Sequence, residues 1–228
     1  MTVTATKHPA TFSKPVVDAM RSALLEQMRA FGNDIRPLEV LDPFAGVGGI
    51  HDVAFEGVIT HGVEIEPEWA NQHDATICAD STDLTFWPAG SFDTIATSPA
   101  YGNRMADQYL PPDTDKSRRY TYATALGRRC ADNSGAALQW GDDYRALHDQ
   151  VWSQCDRLLM PGGRVLLNVK NHYRKGVEQD VAGWHMDWFL GRGYRGLTDQ
   201  GLGTYGIKHS PNQQRCQERL IVLEKRVA

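Results

Sequence analysis

Apolar positions along this chain alternate between helical spacing and short buried runs. The first helical stretch spans Lys14 to Phe31. LEVLD, residues 38–42, predicts a buried strand that empties into a glycine-rich turn, PFAGVGG. A helix over Gly49–Glu56 and a strand over Val58–Glu66 follow, and Pro67 opens the next helix. ATICAD predicts a short third strand and FDTIATS a fourth. From Asp142 onward, Tyr144, Leu147, Val151, Trp152, Cys155, Leu158 and Leu159 recur at helical spacing, the mark of a core-facing stripe. Pro161-Gly162-Gly163 ends that helix, and RVLLNV is a fifth strand. A helix near Gln179–Leu190 precedes two closing strands, near Gly196–Tyr205 and Glu218–Lys225.

This order predicts one α/β domain over residues 1–228. Its centre is a mostly parallel seven-stranded sheet with helices on both faces and a closing antiparallel hairpin. Ligands of such sheets sit outside the carboxyl ends of the strands. DPFAGVGG, GVEIE, CADS and TSPAY, the four chemically unusual stretches, all fall at such ends. Residues 102–142 have little periodicity and form an insertion on the substrate side, a lid or target-recognition element.

Composition narrows the class. The chain has 228 residues, 41% of them hydrophobic, enough for a large core. No apolar run is long enough to span a bilayer, so no membrane partner is expected. Its four cysteines form no CxxC pair and its eight histidines no HExxH or HxH cluster. Reduced thiols in a cytoplasmic protein without a metal are the expectation. The net charge of −4 disfavours a general polyanion binder, so any nucleic-acid surface must be local. One candidate is KSRRYTYATALGRR, residues 116–129, with five cations, no acid and two tyrosines. A solvated helix face is the ordinary alternative.

The turn after the first strand lacks the third glycine of a dinucleotide fingerprint, since Gly46-Val47-Gly48-Gly49 runs into Ile50 and His51. Asp42 at that strand's end would repel a pyrophosphate but suits a ligand carrying an ammonium group. VLDPFAGVGG resembles the first motif of S-adenosylmethionine-dependent methyltransferases, particularly the amino-methyltransferases of exocyclic base nitrogens. The resemblance implies a Rossmann-like methyltransferase fold with S-adenosylmethionine as cofactor. It implies cofactor contacts by Asp42, Pro43, Phe44, Gly46 and Gly48 in the turn. Glu64, with Ile65 after it, matches the acid for the ribose hydroxyls, and Asp80, beside Ser81, the acid for the adenine amine. HPATFSKP resembles an outlying motif whose aromatic, here Phe12, closes over the methionine end.

Ser98-Pro99-Ala100-Tyr101 resembles the family's (Asp/Asn/Ser)-Pro-Pro-(Tyr/Phe) catalytic motif at three of four places. Ser98, which also borders the cofactor, and the Pro99 carbonyl would accept both N–H groups of an exocyclic amine and free its lone pair. Tyr101 offers a plane for a base to stack on. Ala100 departs from the pattern, which puts loop stiffness in question. The expected substrate is a DNA base, with cytosine N4 slightly ahead of adenine N6. RNA base methylation and an inactive nucleic-acid-binding module are the alternatives. Arg104, Lys116, Arg118, Arg119, Arg128 and Arg129 are candidate phosphate contacts, and Tyr120 a candidate stacking residue. Gln139 and Trp140 either face a flipped base or anchor the insertion.

Overall fold

A computed structural model of the chain describes residues 6–32, 36–106, 121–203 and 216–227. Helix α1, Lys14–Phe31, has a proline in its first turn and ends at Gly32 with φ of 73°. Strands β1 (Leu38–Asp42), β2 (Val58–Glu64), β3 (Thr76–Cys78), β4 (Phe92–Thr97) and β5 (Leu159–Val169) pair in parallel in the order β3-β2-β1-β4-β5. The chain between β2 and β5 carries α2 (Pro67–Ala70), α3 (Tyr122–Leu126) and α4 (Asp142–Leu158). After β5 come a small hairpin, β6 (His172–Arg174) with β7 (Val177–Gln179), then α5 (Val181–Leu190). β8 (Arg195–Gly203) and β9 (Glu218–Glu224) close the sheet, β9 lying antiparallel between β5 and β8. The seven-stranded sheet and its antiparallel closure are as the sequence predicts.

Strand alternation splits the core in two. Leu41, Ile95, Val165 and Leu167 pack with Tyr144, Trp152 and Leu158 of α4 and Phe189 of α5. Val40, Ala96 and Leu166 pack with Val16, Met20 and Leu24 of α1. Every residue of β4 is buried, which a strand covered on both faces requires. At the base of the sheet Asp93, 1% exposed, accepts two bonds from the Arg36 guanidinium (2.6 and 2.7 Å) and one from the Glu39 amide (2.9 Å). Gln27 of α1 donates to the Asp93 carbonyl (2.9 Å) and accepts from Thr94 (2.7 Å), which fixes the helix on the sheet.

Several boundaries differ from expectation, each for a tertiary or local reason. The helix expected over Gly49–Glu56 is a 3-10 helix of five residues, Gly49–Val53. Arg21 of α1 donates to the carbonyls of Asp52, Val53 and Ala54, taking the acceptors that a further turn would use. β2 ends at Glu64 because the chain turns over that side chain, the Glu66 amide donating to Glu64 Oε1 (2.8 Å). The hairpin β6–β7 was not foreseen. Its two-residue turn is Lys175-Gly176, with φ of 50° and 79°, and Lys-Gly was its signal in the sequence. α5 consequently starts at Val181, where Asp180 accepts from the Gly183 amide (3.0 Å). β5 begins at Leu159, continuing through Pro161-Gly162-Gly163 with a register shift opposite β4.

Candidate active site

A cavity of about 1290 Å³ opens at the carboxyl ends of β1, β2, β4 and β5. Its walls include Phe12, Pro43, Phe44, Gly46, Glu64, Ile65, Asp80, Ser81 and all four residues Ser98–Tyr101. Sequence positions 12 to 101 thus converge on one chamber, lined by both the glycine turn and the Ser98 loop. Asp42 and Gly48 are not in the wall.

Asp42 instead supports the wall from below. It is 1% exposed, and its Oδ1 accepts from the Phe44 amide (2.9 Å) and from Thr97 Oγ1 (2.6 Å). Its Oδ2 is buried and has no hydrogen-bond partner among the described residues. Burial pushes the Asp42 carboxyl up to about 7, against the two hydrogen bonds that favour its ionised form. Gly48, with φ of 87°, turns the chain where a Cβ would lie 2.8 Å from His51 and 2.9 Å from His73. Glu64 Oε2 accepts from the Gly46 amide (3.0 Å), so the acid after β2 braces the turn after β1. Burial raises the Glu64 carboxyl to about 7, opposed by the Glu66 and Gly46 amides and reinforced by the Glu66 and Asp42 charges. Ser81 Oγ donates to the Pro43 carbonyl (2.5 Å). Phe12 lies over Gly49, at ordinary contact distance from where a Cβ would be.

In the Ser98 loop, Ser98 Oγ and Tyr101 OH are 3.0 Å apart. Asn168, at the end of β5, donates from Nδ2 to both, at 3.1 and 3.3 Å. Burial holds the Tyr101 hydroxyl well above its ordinary pKa, so it remains protonated. The Ala100 carbonyl accepts from Tyr144 OH (2.6 Å). Tyr144 OH lies 2.9 Å from His185 Nε2, and Trp152 Nε1 donates to His185 Nδ1 (2.9 Å). The indole N–H makes Nδ1 the acceptor, so Nε2 carries the proton and donates to Tyr144. Burial keeps His185 neutral by driving its pKa well below the ordinary value. This directed chain, Trp152 to His185 to Tyr144 to Ala100, ties the loop after β4 to α4 and α5.

The insertion is described in part. Lys116, Arg118, Arg119 and Tyr120 lie outside the described residues, as does the Arg104 side chain. Arg128 is not poised for phosphate. Its guanidinium pairs with Glu66 (2.8 Å) and takes both carboxylate oxygens of Glu68 (2.8 and 2.5 Å). The Ala131 amide donates to Glu66 Oε1 (2.7 Å), and Asn133 Nδ2 donates to Asp80 Oδ2 (2.9 Å). Glu66 is fully buried, so a cation was required beside it. Asn133 therefore lines the cavity beside Asp80, and Arg128 and Ala131 tie its segment to Glu66 and Glu68 behind it, ion pairing that charge counting in the sequence does not show. The Arg129 carbonyl accepts from Arg128 (2.8 Å). Trp140 anchors the segment. Its amide donates to the Gly102 carbonyl (2.8 Å), and its ring packs on Tyr144 and Trp184. A Cβ at Gly102, where φ is 61°, would come within 2.6 Å of the Trp140 nitrogen.

Sequence reasoning also missed His8, Asn168, Lys170 and Glu218, all in the cavity wall. His8 covers Gly46 and packs edge-on against Trp69. It stood within the HPATFSKP stretch. Asn168 and Lys170 come to the chamber through the parallel β4–β5 pairing, and Glu218 through the β5–β9 pairing.

No protein-family model matches the sequence, and no curated protein matches it either. Solved structures do. A protein proposed to be a sarcosine dimethylglycine methyltransferase, from Galdieria sulphuraria, is 13% identical with a TM-score of 0.53, over 96% of this chain and 92% of its own. The cyclase SpnF is 12% identical with a TM-score of 0.52, over 92% and 81%. Magnesium protoporphyrin IX methyltransferase from Synechocystis PCC 6803, solved with bound S-adenosylmethionine, is 14% identical with a TM-score of 0.49, over 92% and 80%. The first two likenesses establish the Rossmann-like methyltransferase fold. They carry different activities, so they establish the fold and no more.

Two outcomes follow from the buried groups. Asp42 and Glu64 bind protons more tightly folded than unfolded, so their contribution to stability is present below about pH 4 and is lost as pH rises through about 7. The ligand-free protein will melt at least about 2–4 °C higher at pH 5 than at pH 8 from this source, the shift of roughly 1 kcal/mol in a domain of this size. Asp42→Asn will flatten that dependence in thermal melts across pH. Tyr144→Phe strands the His185 N–H and the Ala100 carbonyl, at a cost of about 1–3 kcal/mol. Denaturant melts will show the loss, and hydrogen exchange will rise in the peptide covering residues 99–103.

Proposed function

We propose that this protein is an S-adenosylmethionine-dependent methyltransferase acting on an exocyclic amino nitrogen of a DNA base, cytosine N4 ahead of adenine N6. The observation that carries the reading is the Ser98-Pro99-Ala100-Tyr101 loop at the end of β4, which lines one cavity together with the braced glycine turn.

The chamber's residues suit the cofactor. Glu64 and Asp80 line the cavity with the glycine turn, and Asp42 keeps an unpartnered oxygen beneath it among the described residues. Such a wall favours a cationic ligand and repels a pyrophosphate. Glu64 would hold the ribose hydroxyls and Asp80 the adenine amine, while Phe12 and Phe44 would cover the apolar parts. The cofactor supplies an electrophilic methyl group on a positively charged sulfur.

The chain's own part is to make a poor nucleophile better. An amine conjugated to a base ring has its lone pair delocalised. Ser98 Oγ and the Pro99 carbonyl accept its N–H groups and draw the nitrogen towards a tetrahedral shape. The Trp152–His185–Tyr144 chain holds the neighbouring carbonyl, so these acceptors do not reorganise during reaction. Tyr101, fixed by Ser98 and Asn168, borders the space where the ring would lie.

The test is methylation of mixed-sequence DNA and RNA with labelled cofactor, followed by nucleoside mass spectrometry. An exocyclic N-methyl base in DNA is expected. A ring-carbon methyl would refute the reading, and label entering RNA only would move the substrate. Ser98→Ala will lower turnover about 10²–10³-fold with cofactor affinity retained. Glu64→Ala will weaken cofactor binding by about 1–3 kcal/mol in calorimetric titration.

A further inference from the structure

The cavity wall that includes Ser98 carries two buried acceptors, on Asn168 and Glu218, that no described residue satisfies. Asn168 is 3% exposed and lines the cavity. Its Nδ2 is engaged with Ser98 and Tyr101, and its Oδ1 is buried without a partner. Glu218 lines the same cavity, and its Oε2 is likewise buried and unpartnered among the described residues. The antiparallel pairing of Asn168 with Leu220 and Val169 with Arg219 brings Glu218 opposite Lys170, two positions beyond Asn168 on the same strand face. Glu218, Asn168, Ser98 and Tyr101 all line this cavity, and the Glu218 charge helps to hold the Tyr101 hydroxyl protonated. Burial lifts the Glu218 carboxyl, and the Lys170 ammonium partly offsets that lift.

Native proteins rarely leave buried acceptors unmet, because each such group carries a desolvation cost. A carbonyl or carboxylate oxygen brought against either of these two atoms faces oxygen with no hydrogen between them. An N–H group satisfies whichever of the two it reaches. Cytosine and uracil differ at one position, amine against carbonyl, as do adenine and hypoxanthine. Resting on the amino-methyltransferase reading above, we propose that Asn168 and Glu218 form an acceptor edge that admits an amino-substituted ring and rejects its deaminated form. Asn168 Oδ1 shares with Ser98 Oγ the N–H of the reacting amine that Ser98 accepts, the other N–H going to the Pro99 carbonyl. Glu218 closes the same wall to carbonyl oxygen.

The experiment measures binding, independent of turnover and of any recognition sequence. The whole protein, saturated with S-adenosylhomocysteine, is titrated by NMR with deoxycytidine against deoxyuridine and with deoxyadenosine against deoxyinosine. At least one amino nucleoside is expected to bind about 30-fold or more tightly than its deaminated partner. Asn168→Leu and Glu218→Leu will each reduce that ratio below about fivefold, with S-adenosylhomocysteine affinity as the check on folding. Asn168→Asp retains the acceptor while losing the bonds to Ser98 and Tyr101, and will keep the discrimination even where Asn168→Leu is too unstable to measure. Equal affinities in the wild type, no binding of either amino nucleoside at millimolar concentration, or full discrimination in both leucine variants overturns the proposal. Discrimination without methyl transfer to any polynucleotide upholds the acceptor edge while refuting the DNA reading. Methyl transfer without discrimination does the reverse.

Discussion

One buried oxygen joins the two halves of the site. Asp42 Oδ1 accepts from the Phe44 amide in the glycine turn and from Thr97 Oγ1, the last residue of β4 before Ser98. The turn after β1 and the loop after β4 therefore share an anchor that neither can leave without stranding a carboxylate in the core. Glu64 adds the matching brace from β2 through the Gly46 amide. Two parallel strands thus end in carboxylate-to-backbone bonds, and a third ends in a hydroxyl bonded to one of those carboxylates. Taking those carboxylates out of water is unfavourable, and the high pKa values of both groups record it.

The loop after β4 is stiffened from the opposite side by a chain of neutral donors. Trp152 and Tyr144 come from α4, His185 from α5 and Ala100 from the loop itself. Each donor in this chain has one acceptor, so the direction of every proton follows from the indole at its end. A single proline would restrain only its own backbone. The buried chain restrains the loop relative to two helices of the core, which is the positioning a reaction centre needs.

The segment after the loop works as masonry as well as cover. Arg128, Ala131 and Asn133 meet Glu66, Glu68 and Asp80, and Trp140 ties the segment back to Gly102. A run of cations without acids in sequence had suggested a surface for phosphate. Two acids from α2 and the turn before it, 60 residues earlier for Arg128 and Glu68, meet one of those cations in space. Ion pairing across such separations is invisible to a count of local charge.

Local chemistry determined much of this protein before any folding is considered. Short β-forming runs, helical stripes and glycine or proline punctuation specify the doubly wound order, because these preferences act over a few residues. The glycine turn, the acids after β2 and β3, and Ser98–Tyr101 were legible for the same reason: each is a strand end followed by residues unsuited to continuing it. Tertiary structure decided which acids face the chamber and which lie beneath it, as Asp42 and Glu64 illustrate. It cut the helix after the glycine turn to five residues, through Arg21 reaching across from α1. It also brought Asn168, Lys170 and Glu218 to one cavity and His185 under Ala100. Those placements depend on strand register and helix packing between residues from 31 to 70 apart in the chain, and no local pattern encodes a partner at that distance.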